Sequence, residues 1–197
     1  MSSLFDLLSQ QLDDNTVNQL SRQLGADSAS THAAINAALP MLLGALGRNA
    51  SSADGARALD NALARDHDGS ILNDVLGAVT SANISDSGAK ILGHVLGGNQ
   101  TAVQRGMSQV SGLDVDTSGQ LLAILAPVVL GALGQTKRQN NLNANDLSDL
   151  LGGVRQQADS QLGGLAQLLD LDGDGSMVDD VLNIGSKLLG GLFGGKK

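Results

Sequence analysis

The 197-residue chain contains no cysteine, tryptophan or tyrosine, and only two phenylalanines, Phe5 and Phe193. Without cysteine there is no disulfide framework, no thiolate nucleophile and no cysteine-ligated zinc site. Two isolated phenylalanines make no platform on which successive nucleic-acid bases stack. Glutamate is missing too, so all 20 acidic residues are aspartates. Charged residues make up 16% of the chain, against roughly 25% in ordinary soluble domains. Lys and Arg number 12 and the net charge is −8. The densest basic points are Lys137-Arg138 and Lys196-Lys197. Phosphate binding needs clustered cations, so no nucleic-acid partner is expected.

Leucine, alanine and 26 glycines fill the chain instead. Leu and Ala favour helices, and the β-branched and aromatic residues of strands are scarce. The expected fold class is all-α. The start, Met1-Ser2-Ser3-Leu4-Phe5-Asp6, lacks the basic and apolar regions of a secretory signal. The longest apolar stretch, Leu121 to Gly134, is about fourteen residues and contains Pro127, shorter than the ~20 residues of a membrane span. Cytoplasmic residence is the expectation.

The chain is written twice. Leu39-Pro40-Met41-Leu42-Leu43-Gly44-Ala45-Leu46-Gly47 recurs 87 residues later as Ala126-Pro127-Val128-Val129-Leu130-Gly131-Ala132-Leu133-Gly134. Ser21 to Gly25 and Asp27 face Ser108 to Gly112 and Asp114 at the same offset. Asp68-Gly69-Ser70 to Leu76 returns 106 residues later as Asp174-Gly175-Ser176 to Leu182. About nineteen residues are therefore added in the second copy, between Val154 and Leu169. The implied organisation is a first helical repeat over residues 1–98 and a second over 99–197, two related halves of one multi-helix bundle or one intertwined domain.

Local signals divide the first half into short helices. Leu4, Leu8 and Leu12 share a helical face. Asp14 or Asn15 is placed to cap a helix through Leu24, with Gly25 to end it. A longer helix from about Ser28 carries Ile35, Leu39, Leu42 and Leu46, and Pro40 is expected to kink or split it. Ser51-Ser52-Ala53-Asp54 starts the next helix, and Asp68-Gly69-Ser70 makes a turn before the apolar face of Ile71, Leu72, Val75, Leu76 and Val79. Gly93 with Gly97, Gly44 with Gly47 and Gly131 with Gly134 read as points where a neighbouring backbone approaches closely. About ten helices are expected in all.

The segments Leu39 to Leu46, Asp54-Gly55-Ala56-Arg57-Ala58-Leu59, Asp68 to Gly77, Ile91 to Gly97 and Asp172 to Leu182 together resemble the YidB-like family of bacterial proteins of unknown function. The resemblance covers nearly the whole chain. It implies a multi-helix fold and bacterial origin, and it carries no catalytic residue over.

One motif points to chemistry. Asp170, Asp172 and Asp174, followed by Gly175, stand at positions one, three, five and six of an EF-hand calcium loop. Alternate carboxylates in a tight turn converge on a hard cation, and Ser176 offers its carbonyl. Position twelve is Val181 rather than a bidentate glutamate, so Asp179 and Asp180 are the acids left to complete the set. The competing reading is an acidic turn that caps the following helix, with Asp174 or Ser176 as the cap. The corresponding first-half turn begins at Ala64 and reads as a cap alone. His32, His67 and His94 sit far apart in sequence, and no serine occupies a Gly-x-Ser-x-Gly elbow. No catalysis is expected. The closing stretch, Val178 to Lys197, can fold back as a core helix, dock on a partner or lie on a membrane surface, and core placement is favoured. A weakly charged surface gives little protection against self-association. The functional expectation is a non-enzymatic interaction protein that forms homo-oligomers, the alternative a calcium-dependent binding or secreted module.

Overall fold

Helix boundaries follow local cap chemistry. In the computed structural model, which describes residues 4–154, α1 runs Leu4–Gln11 and buries Leu4 and Leu8. α2 runs Asp14–Leu24, and its cap is Asp13 rather than Asp14 or Asn15, because the Asp13 carboxylate accepts the Thr16 amide at 2.9 Å. Gly25 ends α2 at φ 64°, a left-handed conformation that glycine adopts without strain. Asp27 then caps α3, Ser28–Ala50. Ser52 caps α4, Ala53–Arg65. A 3₁₀ turn, Ser70–Asp74, leads into the short α5, Val75–Val79. α6 spans Ile84–Leu96, and a second 3₁₀ turn, Gly97–Asn99, joins it to α7, Gln100–Ser111. α8 spans Val115–Asn140, and α9 is described over residues 144–154. No strand occurs among the described residues, and the fold is an all-α multi-helix bundle.

The segments that match at offset 87 also match in geometry. Gly112 ends α7 at φ 77° and Asp114 caps α8 by accepting the Thr117 amide at 2.8 Å, as Gly25 and Asp27 do one repeat earlier. Both long helices carry proline at the thirteenth position, and neither Pro40 nor Pro127 splits its helix. The lost hydrogen bond is outweighed by burial: Leu39, Leu42 and Leu43 flank Pro40 in the core, and Pro127 is itself buried. Polar residues extend α8 well beyond the apolar stretch, to 26 residues. By length and composition alone α3 and α8 are long enough to cross a membrane, and 83% of the most apolar window of α8 is buried in the protein.

α8 is the centre. Every residue from Leu121 to Gly134 is buried, which requires neighbours on all its sides. α6 lies along it, and α1, α4 and α7 pack on it, with α3 touching both α7 and α8. These contacts form one hydrophobic cluster from Leu4 to Leu151. The turn Gly97–Asn99 lies inside the first of the chain's two units, Met1–Arg155; the second is Gln156–Lys197.

Glycine placement corrects one expectation. Gly93 has no described atom within 4 Å of a Cβ built on it, and Gly97 serves as the exposed end of α6 at φ 53°. The close approach falls instead at Gly88, where a Cβ would collide with the Ala123 carbonyl. The buried stripe of α6 is Ile84, Gly88, Leu92 and Leu96, spaced by four, and Gly93 stands off it. The expected backbone approach holds at Gly134, against the His67 carbonyl, whereas Gly131 meets the Ile71 side chain instead. On α3, only Gly47 has such a neighbour, Leu151.

The two α6 glycines are expected to respond in opposite ways. Gly93→Ala should stabilise the protein by about 1 kcal/mol through helix propensity, and Gly88→Ala should destabilise it by roughly 2 kcal/mol through overpacking against backbone. Urea unfolding of the two variants checks this. Equal effects of either sign would show that Gly88 is not a packing point.

Candidate functional site

The acidic loop of Asp170, Asp172, Asp174, Ser176, Asp179 and Asp180 lies outside the described residues, as do the Val178 to Lys197 stretch and most of the inserted segment. Its first-half counterpart, Asp68-Gly69-Ser70, is described, and shows how this turn is built. α4 ends at Arg65, and both the Asp66 and His67 amides donate to the Ala62 carbonyl. Gly69 takes φ 92°, which reverses the chain. Asp68 Oδ1 accepts the Ser70 amide at 2.9 Å, closing the turn as an Asx cap. The carboxylate is held below its ordinary value mainly by that amide, with help from Arg138.

The turn rests on the C-terminal part of α8. Gly134 admits the His67 carbonyl, Gly131 admits the Ile71 side chain, and Gly69 crosses over Gln135. Two ion pairs fasten the edges. Lys137 Nζ lies 3.0 Å from Asp60 Oδ1, with both side chains largely buried, and Arg138 Nη1 lies 3.1 Å from Asp68 Oδ2 at the surface. Lys137 is the cation that balances the buried Asp60 Oδ1. The sequence signal, adjacent cations in an otherwise nearly uncharged helix, was visible as Lys137-Arg138. Its role as a clamp needs the fold, because Asp60 and Asp68 are about 70 residues away.

His67 is half-buried, and burial lowers its pKa, with Asp66 opposing. His32 is exposed, 3.5 Å from Asp14, and His94 is exposed near the end of α6. Asn49, which the sequence did not single out, donates from Nδ2 to the His94 and Val95 carbonyls at 3.2 and 3.0 Å, so α3 caps the last turn of α6. Among the described residues, no three His or Asp side chains come together as metal ligands. Chemically, the α4–α8 corner pairs two cations with two anions and fixes a turn.

These groups set a pH dependence. His67 has a folded pKa below 6.5, so its contribution is complete above that value and is lost as pH falls through it. Asp13, Asp27 and Asp68 have folded values below 3.8 because each accepts a helix or turn amide, and Asp114 because it accepts first the Thr117 hydroxyl and then the Thr117 amide. Their contribution is complete above pH 3.8 and is lost below it. Urea midpoints against pH should therefore fall in two steps on acidification, and His67→Gln should remove the upper step alone. An unchanged upper step in that variant would assign it elsewhere.

No curated protein and no solved structure matches the chain. Residues 6–136 and 137–197 match the family described as "Bacterial protein of unknown function (DUF937)", the first match spanning both copies of the Pro-containing helix. Taken with the helical fold and the YidB-like segments read from the sequence, this places the chain plainly: it belongs to the DUF937 family of bacterial proteins of unknown function.

Proposed function

We infer that this protein works by contact rather than by turnover: a structural or interaction module that associates with further copies of itself. The observation that carries this reading is the surface. Leu76, Val110 and Val115 are 45%, 57% and 36% exposed, on a chain with only 16% charged residues. Such a surface sets apolar side chains among few charges, so that short-range contact can offset the repulsion of a net charge of −8. Cytoplasmic residence goes with this reading, with α3 and α8 taken as core helices.

Sedimentation velocity over a concentration series tests it. The weight-average mass should rise with concentration, and Leu76→Asp with Val110→Asp should return it toward the monomer without lowering the melting temperature. A parent protein that stays monomeric at every concentration ends this reading.

A second reading, calcium binding by Asp170, Asp172, Asp174, Ser176, Asp179 and Asp180, is favoured by the Asp68 turn. There the aspartate equivalent to Asp174 caps the chain with one oxygen and meets a cation, Arg138, with the other. The second copy keeps Asp172 and Asp180 where the first has Asp66 and Asp74, and adds Asp170 and Asp179 where the first has Ala64 and Asn73, enriching the oxygen donors that a hard cation needs. Calorimetric titration should give calcium-dependent heat that Asp172→Ala and Asp174→Ala abolish. No heat, and no change in melting temperature at millimolar calcium, leaves the helix-cap reading.

A further inference from the structure

Packing among the described residues runs largely between the two halves. α6 closes the first half and lies along α8 of the second, with Gly88 against the Ala123 backbone. α3 packs on α7 and α8, and the Asp68 turn rests on α8. In return, α9 reaches α3, where the Leu151 carbonyl stands 3.3 Å from a Cβ built on Gly47. The core therefore belongs to both halves at once. One short connection joins them, the turn Gly97–Asn99.

That turn has the character of a hinge. Gly97 sits at φ 53°, ψ −129°, a region essentially restricted to glycine. No described atom lies within 4 Å of a Cβ built on Gly97 or Gly98. Helices abut it directly, since α6 ends at Leu96 and α7 starts at Gln100. Rotating these few residues into helical geometry makes one continuous rod from Ile84 to Ser111 and carries the halves apart.

We propose that two copies of this chain exchange halves about Gly97–Gly98, the residues before the turn in one copy packing on the residues after it in the other. The proposal rests on the self-association reading: contact through the exposed Leu76, Val110 and Val115 brings copies together, and exchange about the turn then interlocks them. Exchange needs no new surface, because each interface in the pair is one the single chain already makes. Only the turn changes. Alanine at both positions disfavours the closed turn and favours the rod.

The absence of cysteine makes the test clean. Asp68 and Arg138 touch at 3.1 Å across the two halves and are both exposed. Asp68→Cys is placed in one chain and Arg138→Cys in another that carries a size tag. The two are unfolded together, refolded at high concentration and treated with a short bismaleimide. In a Gly97→Ala, Gly98→Ala background we expect a covalent heterodimer and sedimentation at twice the monomer mass of 20.0 kDa, with a lower yield in the glycine parent. If the alanine hinge fails to fold, the parent decides the question by the same mixed-chain cross-link. The proposal is overturned if cross-links form only when both cysteines share one chain. Association without a mixed 68–138 product removes half-exchange and leaves the self-association reading standing, and monomer throughout removes both.

Discussion

The separation of α6 from α8 is set by backbone. At Gly88 the two helices meet with no side chain between them on the α6 side, and Ala123 supplies only its carbonyl and a methyl. A leucine core can absorb a changed methylene by shifting rotamers, whereas a backbone contact has no rotamer to shift. Gly134, against the His67 carbonyl, repeats this constraint at the other end of α8, where the Asp68 turn comes down on the helix. With its distances to α6 and to the turn both fixed in this way, α8 becomes the reference against which the remaining helices pack, and its uninterrupted burial from Leu121 to Gly134 follows.

Much of this was legible because cap chemistry is local. Gly25 and Asp27, and Gly112 and Asp114, announce helix ends through the conformations and hydrogen bonds their own side chains permit. Leu4, Leu8 and Leu12 are likewise buried as their spacing implies. The misreadings fall where tertiary contact decides. Gly93 and Gly97 looked like a packing stripe, but the buried stripe of α6 passes through Gly88, one helical face away. Leu76 belongs by period to the apolar face of α5, yet it is exposed while Val75 and Val79 are buried. The Asn49 cap on α6 joins residues about 45 apart and leaves no trace in either segment. The acidic loop was equally legible as a pattern, but whether its oxygens turn toward a cation or toward helix amides depends on a geometry that spacing does not fix.

The few charges have a consistent use, and it bears on what the surface can do. Asp13, Asp27 and Asp114 are spent on helix amides and Asp68 on a turn amide, each with its pKa held down by the bond it accepts. Lys137 and Arg138 are spent on Asp60 and Asp68. Charge at these positions thus closes helices and fastens a turn. What remains outside is rich in amides, hydroxyls and glycine, with apolar side chains at Leu76, Val110 and Val115. The net charge of −8 still repels copies at long range, so any association has to rest on short-range fit. In the half-exchange we propose, the glycine turn between halves that already pack on one another would supply such a fit, so that the net repulsion is met by a shared core.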